Sequence, residues 1–437
     1  MKLFSLFNRI PLIYRNLGAF VLGCAAGILF YFIGQRVGGD FLEKTIRGVS
    51  PVGTVLVNML KMIVIPIIFF SLIHGAASLP VKTFGKMGFW VCLWYILTSF
   101  YAAVFGTVSA LAFNPKLSVL SELSSKMASQ VESFSGQSSG VGNAFLNIIT
   151  GLFANPFKAL SDGSFLPVIV FAIMFGLAAR MVLDNAPDER TRKMIGGMLD
   201  MIEAIQKTIF KMIDWIMGYF PVGVFALTMC NFASYGVPLF RSYFQVAFCV
   251  ICGILLMLLV CYPLAVAIIC RENPYPLLWK LREPIITAFV TRSSAAALPV
   301  SLKTASGKLK VRSELANFTL SLGATVNMDG VCIHLPVFAV LAANLFDIKL
   351  TLIQLFILVI GVVFASVGAG GVPGGSIFLL FMVLESLNFT PDQVTTVIAL
   401  ALGINPLLDM FETACNVAGD NIGTYVVGKK LNFMKDE

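Results

Sequence analysis

Apolar stretches long enough to cross a bilayer recur from one end of this chain to the other, and that recurrence leaves few folds open. About 20 helical residues span the ~30 Å hydrocarbon layer. Such stretches fall near residues 17–37, 47–78, 86–113, 144–183, 207–234 and 241–270. The fourth is interrupted at Asn155-Pro156 and Asp162-Gly163, which predicts separate segments. Hydrophobic residues fill 58% of 437 positions and charged residues 12%, where soluble domains carry about 25% charged. Mean hydropathy is +0.88. Lipid is the expected solvent. The basic start MKLFSLFNRIPLIYRN runs into a full-length span, so no cleavable signal peptide is expected.

The net charge is +8, and its placement carries the information. Lys and Arg gather in Lys82–Lys86, Arg190–Lys193, Arg271–Arg282, Lys303–Arg312 and Lys429–Lys435. Positive loops stay on the cytoplasmic side. Both termini are therefore expected inside, in a plasma membrane or, in a bacterium, the inner membrane. A polar, Ser-rich loop at 115–142 is expected outside. No basic stretch is long or interleaved with exposed aromatics, which argues against a nucleic-acid partner. The 9 cysteines sit mostly inside apolar runs and read as small hydrophobes. With 2 histidines, a zinc site is not expected. No nucleophile–base pair or phosphate loop points to an enzyme.

The last third changes pattern. In LREPIITAFVTRSSAAALPVSL, residues 281–302, two apolar arms of about ten residues flank Arg292-Ser293-Ser294. Each arm is too short to span, and both sides are basic, which predicts a segment that dips in and returns. Residues 353–385 repeat the plan from the opposite side, with ILVIGVVFA and SIFLLFMVLE around SVGAGGVPGG. A Gly-Pro centre does not continue a helix. Each hairpin precedes a long apolar segment with polar residues inside it. The first, 315–345, is expected to break at Thr325-Val326-Asn327-Met328-Asp329-Gly330. The second, 395–427, is expected to break around Asp409, Asn416 and Gly419-Asp420. Hairpin plus broken helix, twice and inverted, places a substrate and ion site near the midplane.

Asp329, Asp409, Glu412 and Asp420 all lie in apolar segments. A carboxylate at the bilayer centre costs about 2.5–3.5 kcal/mol on insertion scales, and Arg292 is the one basic residue expected at that depth. Bound cations are the natural partners, because hard cations take carboxylate and carbonyl oxygens.

The motifs TRSSAAALP at 291–299, NMDG at 327–330, GAGGVPGG at 368–375 and LLDM…TACNVAGD ending at Asp420, with Tyr95-Ile-Leu-Thr98-Ser99 upstream, occur in order. With them the chain resembles the dicarboxylate/amino acid:cation symporter family, over nearly its whole length. The resemblance implies an all-α integral membrane protein of eight transmembrane helices and two re-entrant hairpins in inverted repeats. It implies an elevator-type transporter that assembles as a homotrimer. Residues 1–85 and 143–240 would form a scaffold of spans 1–2 and 4–5. Span 3 (86–114) and 241–437 would form the transport domain. The latter would hold span 6, hairpin 1 near 276–303, span 7 near 315–345, hairpin 2 near 353–386 and span 8 near 395–427.

The resemblance further implies two or three sodium ions as co-substrates. One would meet the Asp420 carboxylate and carbonyls of Gly323, Asn327 and Asn416. A second would sit between Thr325, Met328 and hairpin 2 at Ser366, Val367 and Ala369. A third would use Tyr95, Thr98, Ser99, Asn327 and Asp329. The amino-acid substrate's α-amino group would meet Asp409 and Thr413, and its α-carboxylate Asn416 and the backbone N–H near Ser294, beside Arg292 and Ser293. Gly371, Val372, Pro373 and Gly374 would form the extracellular gate. Taken alone, Tyr95, Thr98 and Ser99 fit ordinary interhelical hydrogen bonding equally.

Two positions depart from the acidic-substrate members. Glu412 stands where they place an arginine, and Val331 where they place a threonine. A guanidinium suits a carboxylate and a glutamate repels it. Aspartate, glutamate and C4-dicarboxylates are therefore expected to be poor substrates, and a neutral or a basic/polar amino acid a better one. Three readings of Glu412 stand open. It pairs with a cation or donor on the substrate side chain; it is a neutral carboxyl that hydrogen-bonds the substrate or carries a proton; or it points away from the site. In the second reading an acidic amino acid or dicarboxylate with proton coupling stays possible. Arg292 is placed to offset Glu412 in part, and His334 is expected to pack or hydrogen-bond. A substrate-gated anion channel and a non-transporting receptor are the alternative classes.

Overall fold

The computed structural model describes residues 12–37, 39–77, 85–115, 153–162, 165–366, 371 and 374–435. All but Pro115 of the outer loop expected at 115–142 lies outside the described residues, as does the 144–152 part of the expected fourth span. Among the described residues the secondary structure is helical apart from an isolated bridge between Val311 and Met434. Among the described residues eight helical segments are long and apolar enough to cross a membrane, which agrees with an all-α membrane protein.

The N-terminal half comprises α1 (Leu12–Val37), α2 (Gly39–Ala77), α3 (Gly85–Phe113), α4 (Pro156–Asp162), α5 (Phe165–Asp184) and α6 (Glu189–Tyr235). Helices α1, α2 and α5 pack on one another or on α6. The expected interruption of the fourth apolar stretch is present as the division between α4 and α5. Helix α6 begins well before the expected 207, because Asp188 caps it through the Thr191 N–H at 2.7 Å. Its first turns are charged and amphipathic, which a search for continuous apolar residues passes over.

The C-terminal half comprises α7 (Pro238–Leu256), a π-helical turn at Met257–Cys261, α8 (Tyr262–Cys270), α9 (Pro274–Lys280), α10 (Arg282–Thr291), α11 (Ser294–Gly307), α12 (Ser313–Val326), α13 (Asp329–Leu345), α14 (Leu352–Ser366), α15 (Gly375–Ser386) and α16 (Pro391–Leu431). Arg292, at φ 54°, ends α10, and the Ser293 hydroxyl caps α11 through the Ala296 N–H. The polar centre seen in the sequence is therefore a helix–turn–helix. At 1.5 Å per residue α10 is about 15 Å long, half a hydrocarbon layer. Between α12 and α13 the backbone leaves helical geometry at Asn327 and Met328, inside the expected break.

The second expected break is absent. Helix α16 runs unbroken through Asp409, Asn416 and Asp420, with Pro406 inside it. Asp409, Thr413, Asn416 and Asp420 are spaced by four, three and four residues, so they share one face of a helix. The polar residues form a stripe, not an interruption. Helix α13, buried along nearly its whole length, packs between α3 and α16. At the far end, Lys429 and Tyr425 of α16 both donate to Glu272 and hold its carboxyl below the usual carboxylate range.

Candidate functional site

Where α10–α11, α13, α15 and α16 meet, they border a small, partly open space lined by Arg292, Ser294, Met328, Val331, Gly371, Gly375, Ser376, Asp409, Glu412, Thr413 and Asn416. Most of the substrate-site residues expected from the sequence are in that lining. Val372 and Pro373 lie outside the described residues, and Ser293 stands just behind, its hydroxyl donating to the Gly371 carbonyl at 3.0 Å. That bond ties the α10–α11 turn to the segment between α14 and α15. Gly371 adopts φ +64°, and any Cβ there would collide with the Ala324 carbonyl, so the close approach requires glycine.

The polar stripe of α16 forms one wall. Asp409, 4% exposed, accepts the Gly374 N–H at 3.0 Å. The Arg292 guanidinium lies 3.7 Å from the same carboxylate, so it faces Asp409; the expected offset of Glu412 goes to another group. Nδ1 of His334 touches Oε1 of Glu412, both side chains being buried. That contact is close but not aligned as a hydrogen bond, and Glu412 Oε2 has no hydrogen-bond partner among the described residues. Glu412 is among the residues that line the space, and its carboxylate contacts His334, which is not. The Thr413 hydroxyl donates to the Asp409 carbonyl at 2.7 Å. Asn416 accepts the Gly330 N–H at 2.7 Å and places its amide 3.2 Å from the Met328 sulfur. The Ser294 hydroxyl, at the α11 N-terminus, has no partner among the described residues. N-terminal N–H groups favour anions such as a carboxylate.

Below the space lie Asp329 and Asp420, 0% and 3% exposed. Asp329 accepts the Tyr262 hydroxyl at 2.5 Å and the Ser99 hydroxyl at 3.1 Å. Asn327 donates to Asp420 at 3.1 Å and accepts from Thr98 at 3.2 Å. The structure thus brings Thr98, Ser99, Asn327, Asp329 and Asp420 together. The Tyr95 hydroxyl donates to the Thr319 carbonyl at 2.6 Å, and the Tyr95 carbonyl accepts the Thr98 hydroxyl at 3.4 Å. The Tyr95 hydroxyl borders Asp420, since a Cβ on Gly323 would meet both groups. Thr325 and Ser366 donate within their own helices, to Leu322 and Val363. Val367 and Ala369 lie outside the described residues. The Asn416 carbonyl sits within a continuous helix, whose ladder uses such carbonyls; at the break the Gly323 carbonyl accepts the Asn327 N–H and the Met328 carbonyl the Cys332 N–H.

A family model described as the Sodium:dicarboxylate symporter family matches residues 12–430. The chain belongs to this family. It is similar to the neutral amino acid transporter B(0) of Bos taurus, 28% identical over 444 residues, with 94% of this chain and 79% of the bovine protein covered. It is also similar to the serine/threonine transporter SstT of Bifidobacterium adolescentis, 29% identical, covering 90% and 88%. The SstT of Acinetobacter baumannii strain AYE is 30% identical over 424 residues, covering 96% and 97%. These relatives are transporters, not enzymes.

Three groups at the site escaped the sequence reading. Tyr262 looked like one more residue of an apolar run. Its position directly after a π-helical turn, a feature frequent at functional sites, is visible only in the structure. Gly375, the last residue of the glycine motif, and Ser376 after it begin α15 and line the space.

Proposed function

We propose that this protein is a sodium-coupled symporter of small neutral amino acids, and that the observation carrying this reading is the pairing of its buried charges. Arg292 faces Asp409, Glu412 faces His334, and Val331 supplies only methyls. Among the described residues that line the space the one guanidinium, Arg292, faces Asp409, which leaves none for a substrate's side-chain carboxylate. The names of the bovine and bacterial relatives support the neutral class. In this reading Asp409 and Thr413 receive the α-amino group. Asn416, the α11 N-terminus and Ser294 receive the α-carboxylate.

Two or three sodium ions are the co-substrates. Asp329 and Asp420 are buried against neutral donors, Tyr262, Ser99 and Asn327, which leave their charge for a cation. Each sodium entering down 100 mV contributes about 2.3 kcal/mol, and three about 7 kcal/mol, enough for roughly a 10⁵-fold gradient of a zwitterion.

The short pairs α10–α11 and α14–α15 act as re-entrant hairpins from opposite faces, and the segment between α14 and α15 is the outer gate. Residues 86–114 and 241–437 move as an elevator against a scaffold of 1–85 and 143–240, in a homotrimer with both termini cytoplasmic. Purified protein in liposomes is expected to take up serine, threonine or alanine severalfold faster with an inward sodium gradient than with choline, and aspartate poorly. Equal rates in sodium and choline across the amino-acid panel would reject symport; aspartate as the preferred substrate would reject the neutral class.

The cation reading has its own test. Tyr262→Phe removes one donor from Asp329 and is expected to change the sodium concentration for half-maximal uptake by about tenfold or more, since a hydrogen bond to a charged group is worth ~1.5–3 kcal/mol. A sodium titration superimposable on the wild type would separate Tyr262 from ion binding.

A further inference from the structure

Lys61 stands in the middle of the apolar run VLVNMLKMIVIPIIFF of α2. An ionisable side chain in such a run needs partners, and those of Lys61 come from helices distant in the chain. Its ammonium donates to the Thr395 hydroxyl of α16 at 2.7 Å. It also lies 5.9 Å from the centre of the Phe381 ring of α15, within reach of a cation–π attraction. The Glu385 carboxylate, one turn beyond Phe381 on α15, adds an opposite charge nearby.

Other contacts fall on the same part of α16. Asn231 of α6 donates its amide to the Ala399 carbonyl at 3.3 Å. A Cβ on Gly403 would lie 3.5 Å from the Phe20 ring of α1. Thr395, Ala399 and Gly403 recur every four residues and so share one face. Helices α1, α2 and α6 therefore all reach that face, near the start of α16. The substrate site is remote from it: Asp409 lies fourteen residues after Thr395, about 21 Å along the axis.

In the elevator proposed above, on which this inference rests, α2 and α6 belong to the scaffold and α15 and α16 to the moving part. We infer that Lys61 is a latch between the two bodies, whose bond to Thr395 holds the conformation described here and breaks each time the transport domain travels. A hydrogen bond is lost beyond about 3.5 Å, so sliding of one body past the other separates the pair. Lys61 thus sets how long this conformation lasts without touching the cargo. The Asn231 contact is neutral and longer, and contributes less.

Single-molecule fluorescence in liposomes containing sodium and serine tests the latch. One dye is placed on Met194 of α6 and one on Leu352 of α14, both exposed, through unnatural amino acids that leave the native cysteines in place. In the wild type the dye distance is expected to switch between two values, one of them matching this structure. In Lys61→Met the mean dwell time at that value is expected to shorten about tenfold or more, the scale of one hydrogen bond to a charged group. The dwell time at the other value is expected to stay within about twofold of the wild type. Thr395→Val is expected to shorten the same dwell time, whereas Thr395→Ser, which keeps the hydroxyl, is expected to behave like the wild type. The double variant Lys61→Met/Thr395→Val is expected to go no further than Lys61→Met, because the two residues act through one bond. Two dye distances with an unchanged dwell time in Lys61→Met, equal shortening of both dwell times, or additive effects in the double variant would each sink the latch alone. A single dye distance in every variant, with sodium-driven uptake intact, sinks the elevator reading and the latch with it. Should Lys61→Met fail to reconstitute, the comparison of Thr395→Val with Thr395→Ser decides.

Discussion

Asp409→Asn is expected to abolish sodium-driven uptake, with substrate affinity reduced at least a hundredfold. The variant keeps the shape of the side chain and removes its charge. In the proposed site that charge meets the substrate's ammonium, and a hydrogen bond to a charged group is worth about 1.5–3 kcal/mol. The same carboxylate faces Arg292, which is 4% exposed, and accepts the Gly374 N–H. Removing one partner of a buried pair costs about 3–5 kcal/mol, because the other charge stays buried. A loss of ~2.8 kcal/mol already corresponds to a hundredfold. Calorimetric titration of serine into the purified variant measures the affinity directly, and size-exclusion behaviour reports folding. Thr413→Val serves as the comparison. Its hydroxyl donates to the Asp409 carbonyl within the same helix, so a smaller loss is expected. Affinity in Asp409→Asn within threefold of the wild type would remove Asp409 from the substrate site.

Gly330→Ala is expected to disrupt folding. At this position α13 and α16 touch backbone to backbone. A Cβ would lie 2.6 Å from the Glu412 Cα and 2.8 Å from its carbonyl carbon. Overpacking against movable side chains costs about 1–3 kcal/mol; here the obstacle is a helix backbone that has no rotamer to change. Spreading the helices would also pull the Gly330 N–H from Asn416, now 2.7 Å away. Loss of monodisperse protein, or a melting temperature several degrees below the wild type, is the expected reading. Gly196→Ala, in α6 with no neighbouring atom within 4 Å, is expected to behave like the wild type. Equal stability of the two variants would show that the crossing can open.

The contrast between the two polar runs explains what the sequence could disclose. Asn327 and Met328 were legible as a break because NMDG interrupts an apolar segment at its middle. Asp409, Asn416 and Asp420 carry as many polar atoms, yet α16 continues through them. Polar content alone does not end a helix when the residues recur every three or four positions and face protein on one side. The periodicity was in the sequence; what was missing was the partner wall from α13 and α10–α11 that makes the stripe tolerable. Likewise, the substitution of glutamate for arginine at 412 was visible, whereas its contact with His334 was not. The two residues are far apart along the chain, and only the crossing at Gly330 makes them neighbours. Tyr262 reaches Asp329 in the same way, from a helix whose sequence reads as grease.

Helix α16 has a mechanical consequence. Asp409 and Asp420 are eleven residues apart on one uninterrupted rod, about 16 Å along its axis. A rod of hydrogen-bonded turns neither stretches nor folds between them. Whatever tugs one end therefore drags the other by an equal amount, and in the proposed site cargo and driving ion would share a single carriage without needing a linkage between them.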